Sequence, residues 1–328
     1  MVRDHIDRLV DDEYLADCAH AWSIVRGHAR SILDKIDASP DAAPDEHRAY
    51  CIEWLRRAAT IRSDHDAQAP GEAMAPTLGL LEHVAAEYTS FLQGATSGPA
   101  ILLAGAGLPL WYDYFQSRNG LYRPLNAAAA HTVLDLLREG RGSRILEIGA
   151  GTGGATGHLL ASWPDDLAGD VEYTVTDASP RLLRTTRQNL AEHAPGNVSL
   201  DFRRFDFDLP AGQQRLAPQS FDVVFAVNAI HNAADLASTL RDLGSLLRPD
   251  GALVLSESIC GSGDLVHQEL IMNLLPLPAD AYRRMSRFHS KSDWLRIFAN
   301  AGVRCDVQVN SSGPELVMTA VVTPGERR

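Results

Sequence analysis

The chain has 328 residues, long enough for one large α/β domain plus a helical cap, and its 45% hydrophobic content is that of an ordinary buried core. A net charge of −12 argues against a general nucleic-acid binder, because neutralising phosphates requires a basic surface. No apolar stretch approaches the roughly 20 residues of a membrane helix, the start Met1–Asp7 has no signal-peptide layout, and the 4 cysteines contain no Cys-x-x-Cys pair, so reduced thiols and a cytoplasmic location are expected.

Three helical stretches are predicted first, over Asp12–Ile36, Asp45–Ile61 and Thr77–Leu92, separated by Ala-, Asp- and Pro-rich linkers at 38–44 and 67–72. Clustered aromatics follow at 111–115 and 121–124, leading into a helix through Leu137. Tyrosines at this point suit a pocket wall, and Tyr122 has a phenol able to donate to an enolate oxygen.

The most informative segment is Arg144-Ile-Leu-Glu-Ile-Gly-Ala-Gly-Thr-Gly-Gly154. Ile145, Leu146 and Ile148 read as a buried strand that ends in a glycine-rich turn, and a helix follows from about Ala155 to Trp163. Glycine lets the backbone bend sharply and lets a ligand approach main-chain N–H groups. Glu147 lies inside the strand and no Lys-Ser/Thr follows the glycines, which argues against a phosphate-cradling loop. The pattern suits a ligand with a cationic amino-acid head, such as S-adenosylmethionine. Expected contacts here are Glu147, Gly149, Ala150, Gly151 and Gly153.

A second strand, Glu172–Thr176, ends at Asp177-Ala178, where a carboxylate can accept from both ribose hydroxyls. Ser179-Pro180 then caps a helix running to about His193. A third strand, Val198–Phe205, ends in Asp206-Phe207, placed to accept from an adenine amino group and to lie beside its ring. The fourth, Phe221–Val227, is followed by Asn228-Ala229-Ile230-His231. Asp235–Leu247 has leucines at helical spacing, Pro249-Asp250-Gly251 breaks it, and Ala252–Glu257 is the fifth strand. Ser290–Ala301, stopped by Gly302, is a capped helix, and Val303–Asn310 with Glu315–Val322 form a final antiparallel pair.

The run ILEIGAGTGG, YTVTDAS, RFDFD, FDVVFAVNAIHNAADL, LLRPDGALVLSES resembles class I S-adenosylmethionine-dependent methyltransferases, and more narrowly the C-methyltransferase domains of polyketide synthases and their free-standing relatives. The likeness covers residues 111–257 and weakens towards 325. It implies a Rossmann-like, seven-stranded, mostly parallel sheet with helices on both faces, an N-terminal helical lid over 1–130, a cofactor domain over 131–328, and an acceptor-site insertion at 259–290 holding His267, Glu269, Asn273 and His289. It also implies a catalytic pair, His231 as general base and Glu257 as its orienting partner, with Asn228 and Ala229 at the cofactor. Strand-end placement supports this, since open α/β sheets bind ligands at the carboxyl ends of their strands.

The function expected is C-methylation of a polyketide-like or β-dicarbonyl intermediate, free or carried by an acyl-carrier protein. The competing readings are an O- or N-methyltransferase on a small metabolite, and a cofactor-binding cyclase or scaffold that does not methylate. Arg283, Arg284 and Arg287 form a basic cluster that could meet a phosphopantetheine phosphate or an acidic carrier surface. The 12 histidines form no metal-ligand pattern, so no metal is expected. The sequence sets no oligomeric state.

Overall fold

A computed structural model describes residues 3–38, 44–61, 71–167, 169–260, 266–278 and 285–323. The chain divides into two compact units: Met1–Val10, Arg123–Gly261 and His289–Arg328 form one, and Asp11–Tyr122 with Ser262–Phe288 form the other.

The first unit is built on a seven-stranded sheet in the order β3-β2-β1-β4-β5-β7-β6. The strands are β1 (Arg144–Ile148), β2 (Val171–Asp177), β3 (Val198–Arg204), β4 (Phe221–Val227), β5 (Leu247–Ser258), β6 (Arg304–Val309) and β7 (Val317–Thr323). Pairings from β3 through to β5 are parallel, and β7 runs antiparallel to both β5 and β6. This is the Rossmann-like methyltransferase architecture that the resemblance implied. Every residue of β4 is buried, as expected of a central strand covered on both faces. The order reverses between β1 and β4, and such a switch point opens a crevice at the carboxyl ends of the two strands.

Helices of this unit are α1 (Arg3–Leu9), α7 (Arg123–Arg138), α8 (Gly154–Ala161), α9 (Pro180–Leu190), α10 (Leu236–Leu246) and α12 (Lys291–Ala301). Leu240, Leu243 and Leu246 of α10 share a core with Trp294 and Phe298 of α12 and with Leu253, Leu255 and Met318 of the sheet. The start of α12 is a capping box in which Ser290 and Asp293 satisfy each other's backbone N–H groups. It stops at Gly302, whose φ of +69° suits glycine. The Pro249-Asp250-Gly251 break falls inside β5: Phe221 pairs with Leu247 and Val223 already pairs with Ala252, so the chain bulges between them.

The second unit is helical: α2 (Asp12–Ala38), α3 (Glu46–Ala58), α4 (Ala75–Leu92), α5 (Gly98–Leu103), α6 (Gly107–Tyr114) and the short α11 (Glu269–Met272). Asp45 caps α3 by accepting from the Arg48 N–H at 2.8 Å. Leu80, Leu81, Val84 and Tyr88 of α4 and Trp54 of α3 are all buried.

The boundary lies between Tyr122 and Arg123, not near residue 130, because α7 is part of the sheet-containing unit. The chain start also belongs there: His5 Nε2 lies 3.1 Å from Asp135 Oδ2, and Asp7 Oδ1 accepts from the Ser311 N–H at 2.7 Å. Residues 262–288 join the helical unit, where Glu269 accepts from Trp54 Nε1 at 3.1 Å. No helix among the described residues is long and apolar enough to cross a membrane.

Candidate active site

The carboxyl end of β1 opens into the glycine turn. Gly149, Gly151 and Gly153 all have positive φ, at +68°, +56° and +81°. At Gly149 a Cβ would stand 2.8 Å from the Ala229 Cβ, so only glycine lets the turn pass under the loop after β4. The turn is strapped to β2: Ala150 N–H donates to the Thr176 carbonyl and Gly151 N–H to Asp177 Oδ2, each at 2.8 Å. Asp177 Oδ1 accepts from Ser179 N–H at 2.7 Å, tying the same carboxylate to the start of α9. Burial raises the Asp177 carboxyl above its ordinary range, and the two backbone donors pull it back.

Asp206 and Phe207 lie half-buried just beyond β3, and Ala178 is exposed beside Asp177. Glycines 149, 151 and 153, Asp177, Asp206, Asn228 and Ala229 therefore all sit at the carboxyl ends of β1 to β4. A Cβ on Gly151 would meet only the Gly149 carbonyl, at 3.9 Å, leaving backbone open to a ligand. Carboxylates beside such a cradle fit the ribose and adenine of a nucleoside cofactor.

Glu147, expected at the cofactor, has its carboxylate engaged by two hydroxyls. It is 1% exposed, and its Oε2 accepts from Thr156 Oγ1 of α8 at 2.6 Å and from the Tyr173 hydroxyl of β2. The alternation of the strand turns this side chain into the interior, so Glu147 braces β1 against β2 and α8. Burial pushes its carboxyl up to about 7, against the two hydroxyls, which favour the ionised form.

The loop after β4 brings the predicted pair together. Asn228 takes a φ of +48°, a left-handed conformation that asparagine tolerates better than most residues. Its N–H donates to the Ser256 carbonyl at 2.7 Å, and its Oδ1 accepts from the Ser258 N–H at 3.1 Å, clasping β5 beyond the end of β4. A single 3-10 turn, Ile230–Asn232, then lifts His231 back over β5. Glu257 Oε1 accepts from Ile230 N–H at 3.0 Å, and Oε2 lies 2.7 Å from His231 Nδ1. The side chains are 4% and 0% exposed, so this pair is desolvated and its geometry is tightly held. A carboxylate can only accept here, which places the Nδ1 proton towards Glu257 and the ring's lone pair on Nε2. Asn232, which sequence reasoning passed over, has its Nδ2 3.0 Å from that Nε2. No periodicity or cap marks Asn232, and only its position next to His231 hinted at it.

Tyr122 belongs to the helical unit, where its buried ring packs against Phe115 at 4.9 Å and Tyr114 at 5.8 Å between centroids. His267, Glu269 and Asn273 are buried in that same unit. Glu269 accepts from the backbone of Val266 at 2.8 Å and Arg287 at 2.9 Å, a bracing role. His289 is in the sheet-containing unit, with its ring on Trp294 at 5.5 Å. The basic cluster is corrected: Arg283 and Arg284 lie outside the described residues, and Arg287 is only 2% exposed, with its guanidinium donating to the Pro276 carbonyl at 2.8 Å. A buried guanidinium offers no docking charge.

A family described as a methyltransferase domain matches residues 146–253, the stretch from β1 into β5. Among curated proteins, the chain is 31% identical over 261 residues to the highly reducing polyketide synthase ALT1 of Alternaria alternata, covering 76% of this chain and 9% of that one. The chain thus spans about a tenth of the length of the first curated relatives it matches, at 9, 10 and 12%. Among solved structures, the CurJ carbon methyltransferase superposes with a TM-score of 0.78 at 18% identity, covering 98% of this chain and 96% of that one. The trans-methyltransferase CalH, in complex with SAH, gives 0.72 at 21% identity over 96% of this chain and 91% of that one. These structural likenesses speak for the fold, and the family match covers the glycine turn and the strand ends that frame the cofactor cradle. Residues 146–253 are a methyltransferase domain, and the chain has the fold of the class I S-adenosylmethionine-dependent methyltransferases.

Proposed function

We propose that this chain methylates carbon, on an acceptor whose reacting position lies alpha to a thioester or ketone carbonyl, of polyketide or related β-dicarbonyl type. One observation carries the reading: the buried contact between His231 and Glu257, with the basic nitrogen turned away from the carboxylate. Bound S-adenosylmethionine supplies an electrophilic methyl group. A carbon alpha to a carbonyl is not nucleophilic until a proton leaves it, so carbon methylation needs a base where oxygen nucleophiles of low pKa do not. Nε2 of His231 takes that proton, the electron pair stays on the acceptor as an enolate, and Glu257 stabilises the imidazolium that results. The turn residues Gly149, Ala150, Gly151 and Gly153 would carry the cofactor's amino-acid end, Asp177 and Ala178 the ribose, Asp206 and Phe207 the adenine, and Asn228 and Ala229 the edge nearest His231.

The relatives support the acceptor class: one is a polyketide synthase, another a carbon methyltransferase. Delivery of the acceptor by a carrier protein belongs to the same reading. The test is His231→Ala, assayed with isotopically labelled S-adenosylmethionine against a β-ketoacyl carrier and a free β-ketothioester. Turnover should vanish while cofactor affinity stays within about threefold of wild type, since the imidazole acts on the acceptor. The new methyl group, located by 13C NMR, should sit on carbon. Retained turnover, or a methyl on oxygen or nitrogen, overturns the proposal.

A further inference from the structure

We propose that Asn232 is a positioning residue that clamps the basic nitrogen of His231 in the resting protein and must leave it before a proton can be taken. The inference rests on the proposed role of His231 as the base. Its own evidence is separate from the pair with Glu257.

The orientation of the Asn232 amide is fixed by a second contact. Its Nδ2 lies 3.3 Å from the Ala229 carbonyl as well as 3.0 Å from His231 Nε2. Turned over, the amide would press its Oδ1 against the Ala229 carbonyl, oxygen against oxygen. The NH2 group, with two hydrogens, satisfies both neighbours at once. An N–H donor facing Nε2 requires a lone pair there, so the ring proton is on Nδ1. Glu257 demands the same tautomer from the opposite side of the ring. The imidazole is thus gripped at both nitrogens, in the one protonation state that leaves Nε2 basic.

The two grips differ in how easily they release. Glu257 is fully buried in β5 and is held by the Ile230 N–H. Asn232 is exposed, so its side chain can swing into water and keep its hydrogen bonds. Its backbone N–H also bonds the Ala229 carbonyl at 3.2 Å, so the turn stays in place when the side chain moves. An acceptor C–H approaching Nε2 needs the site that the amide occupies. The N–H···N bond exists only while Nε2 carries no proton.

The test is NMR of the 15N-histidine-labelled full chain, without acceptor, for wild type and Asn232→Ala. Glu257 is common to both proteins, so the difference reports Asn232. The midpoint of the His231 titration should rise by about 0.5 to 1 pH unit in Asn232→Ala, a three- to tenfold gain in proton affinity expected from losing one neutral hydrogen bond. The acid limb of kcat/KM should move up in parallel. Asn232→Asp, which places an acceptor where the donor was, should raise the midpoint further than Asn232→Ala. Unmoved midpoints in both variants overturn the clamp. That result differs from failure of the base assignment, in which His231→Ala keeps its turnover whatever Asn232 does.

Discussion

Glu257→Gln separates charge and tautomer from packing. The two side chains are nearly isosteric, and the amide oxygen of the variant can still accept the Ile230 N–H that wild type holds at 3.0 Å. The other atom changes sign: an amide NH2 replaces the acceptor 2.7 Å from His231 Nδ1. The ring must then present its lone pair to that NH2 group and carry its proton on Nε2, facing the acceptor. That is the wrong tautomer for a base, and it also sets Nε2–H against the Asn232 amide hydrogens. General-base catalysis contributes about 100- to 10,000-fold, and reversing the tautomer forfeits most of it, so kcat should fall by about that factor, or roughly 3 to 5 kcal/mol of barrier. Stability should change by only about 1 kcal/mol, because one charge-assisted hydrogen bond becomes a neutral one while no cavity forms. The assay is formation of S-adenosylhomocysteine under saturating donor and acceptor, with calorimetric titration of the cofactor and urea unfolding as controls. A loss of less than about tenfold, with fold and cofactor binding intact, would refute the claim that Glu257 sets the protonation state of the ring.

Three further outcomes follow from the cradle. Glu147 titrates at about 7 in the fold against an ordinary 4.5, so its stabilising contribution is complete below about pH 4.5 and is lost as pH rises through about 7. Between about pH 5 and about pH 8, wild type should lose on the order of 2.5 kcal/mol more than Glu147→Gln in urea unfolding, and parallel pH profiles would contradict this. Gly149→Ala forces φ of +68° on alanine and a Cβ 2.8 Å from Ala229, so it should cost about 1 to 3 kcal/mol of stability and weaken cofactor binding, read by thermal shift with and without S-adenosylhomocysteine. Asp177→Ala releases the Gly151 and Ser179 N–H groups and removes the proposed ribose acceptor, and calorimetry should find cofactor affinity down by about 10- to 100-fold.

Much of the site was legible because local signals mark strand ends. Residues 221–227 read as a buried strand and are one, and the carboxyl ends of β1 to β4 follow from the same kind of pattern. Ser290 and Gly302 announced the limits of α12, since caps are local chemistry. That His231 and Glu257 share neighbouring strand ends was also foreseeable, because a parallel sheet aligns the ends of its strands.

What the sequence determined alone was the seven strands and the longer helices, the turn that needs glycine, and the placing of acidic and imidazole groups at one end of a sheet. The tertiary structure decided where each side chain points and which segments share a core. Glu147 faces Thr156 and Tyr173 because strand alternation and the neighbouring helix claim it, and neither partner is near it in the chain. Arg287 reads as surface charge until its side chain is seen buried within the helical unit. The Asn232 clamp depends on a single 3-10 turn that folds one residue over its neighbour. Periodicity and capping act within a few residues, whereas orientation and burial are set by contacts between segments that only folding brings together.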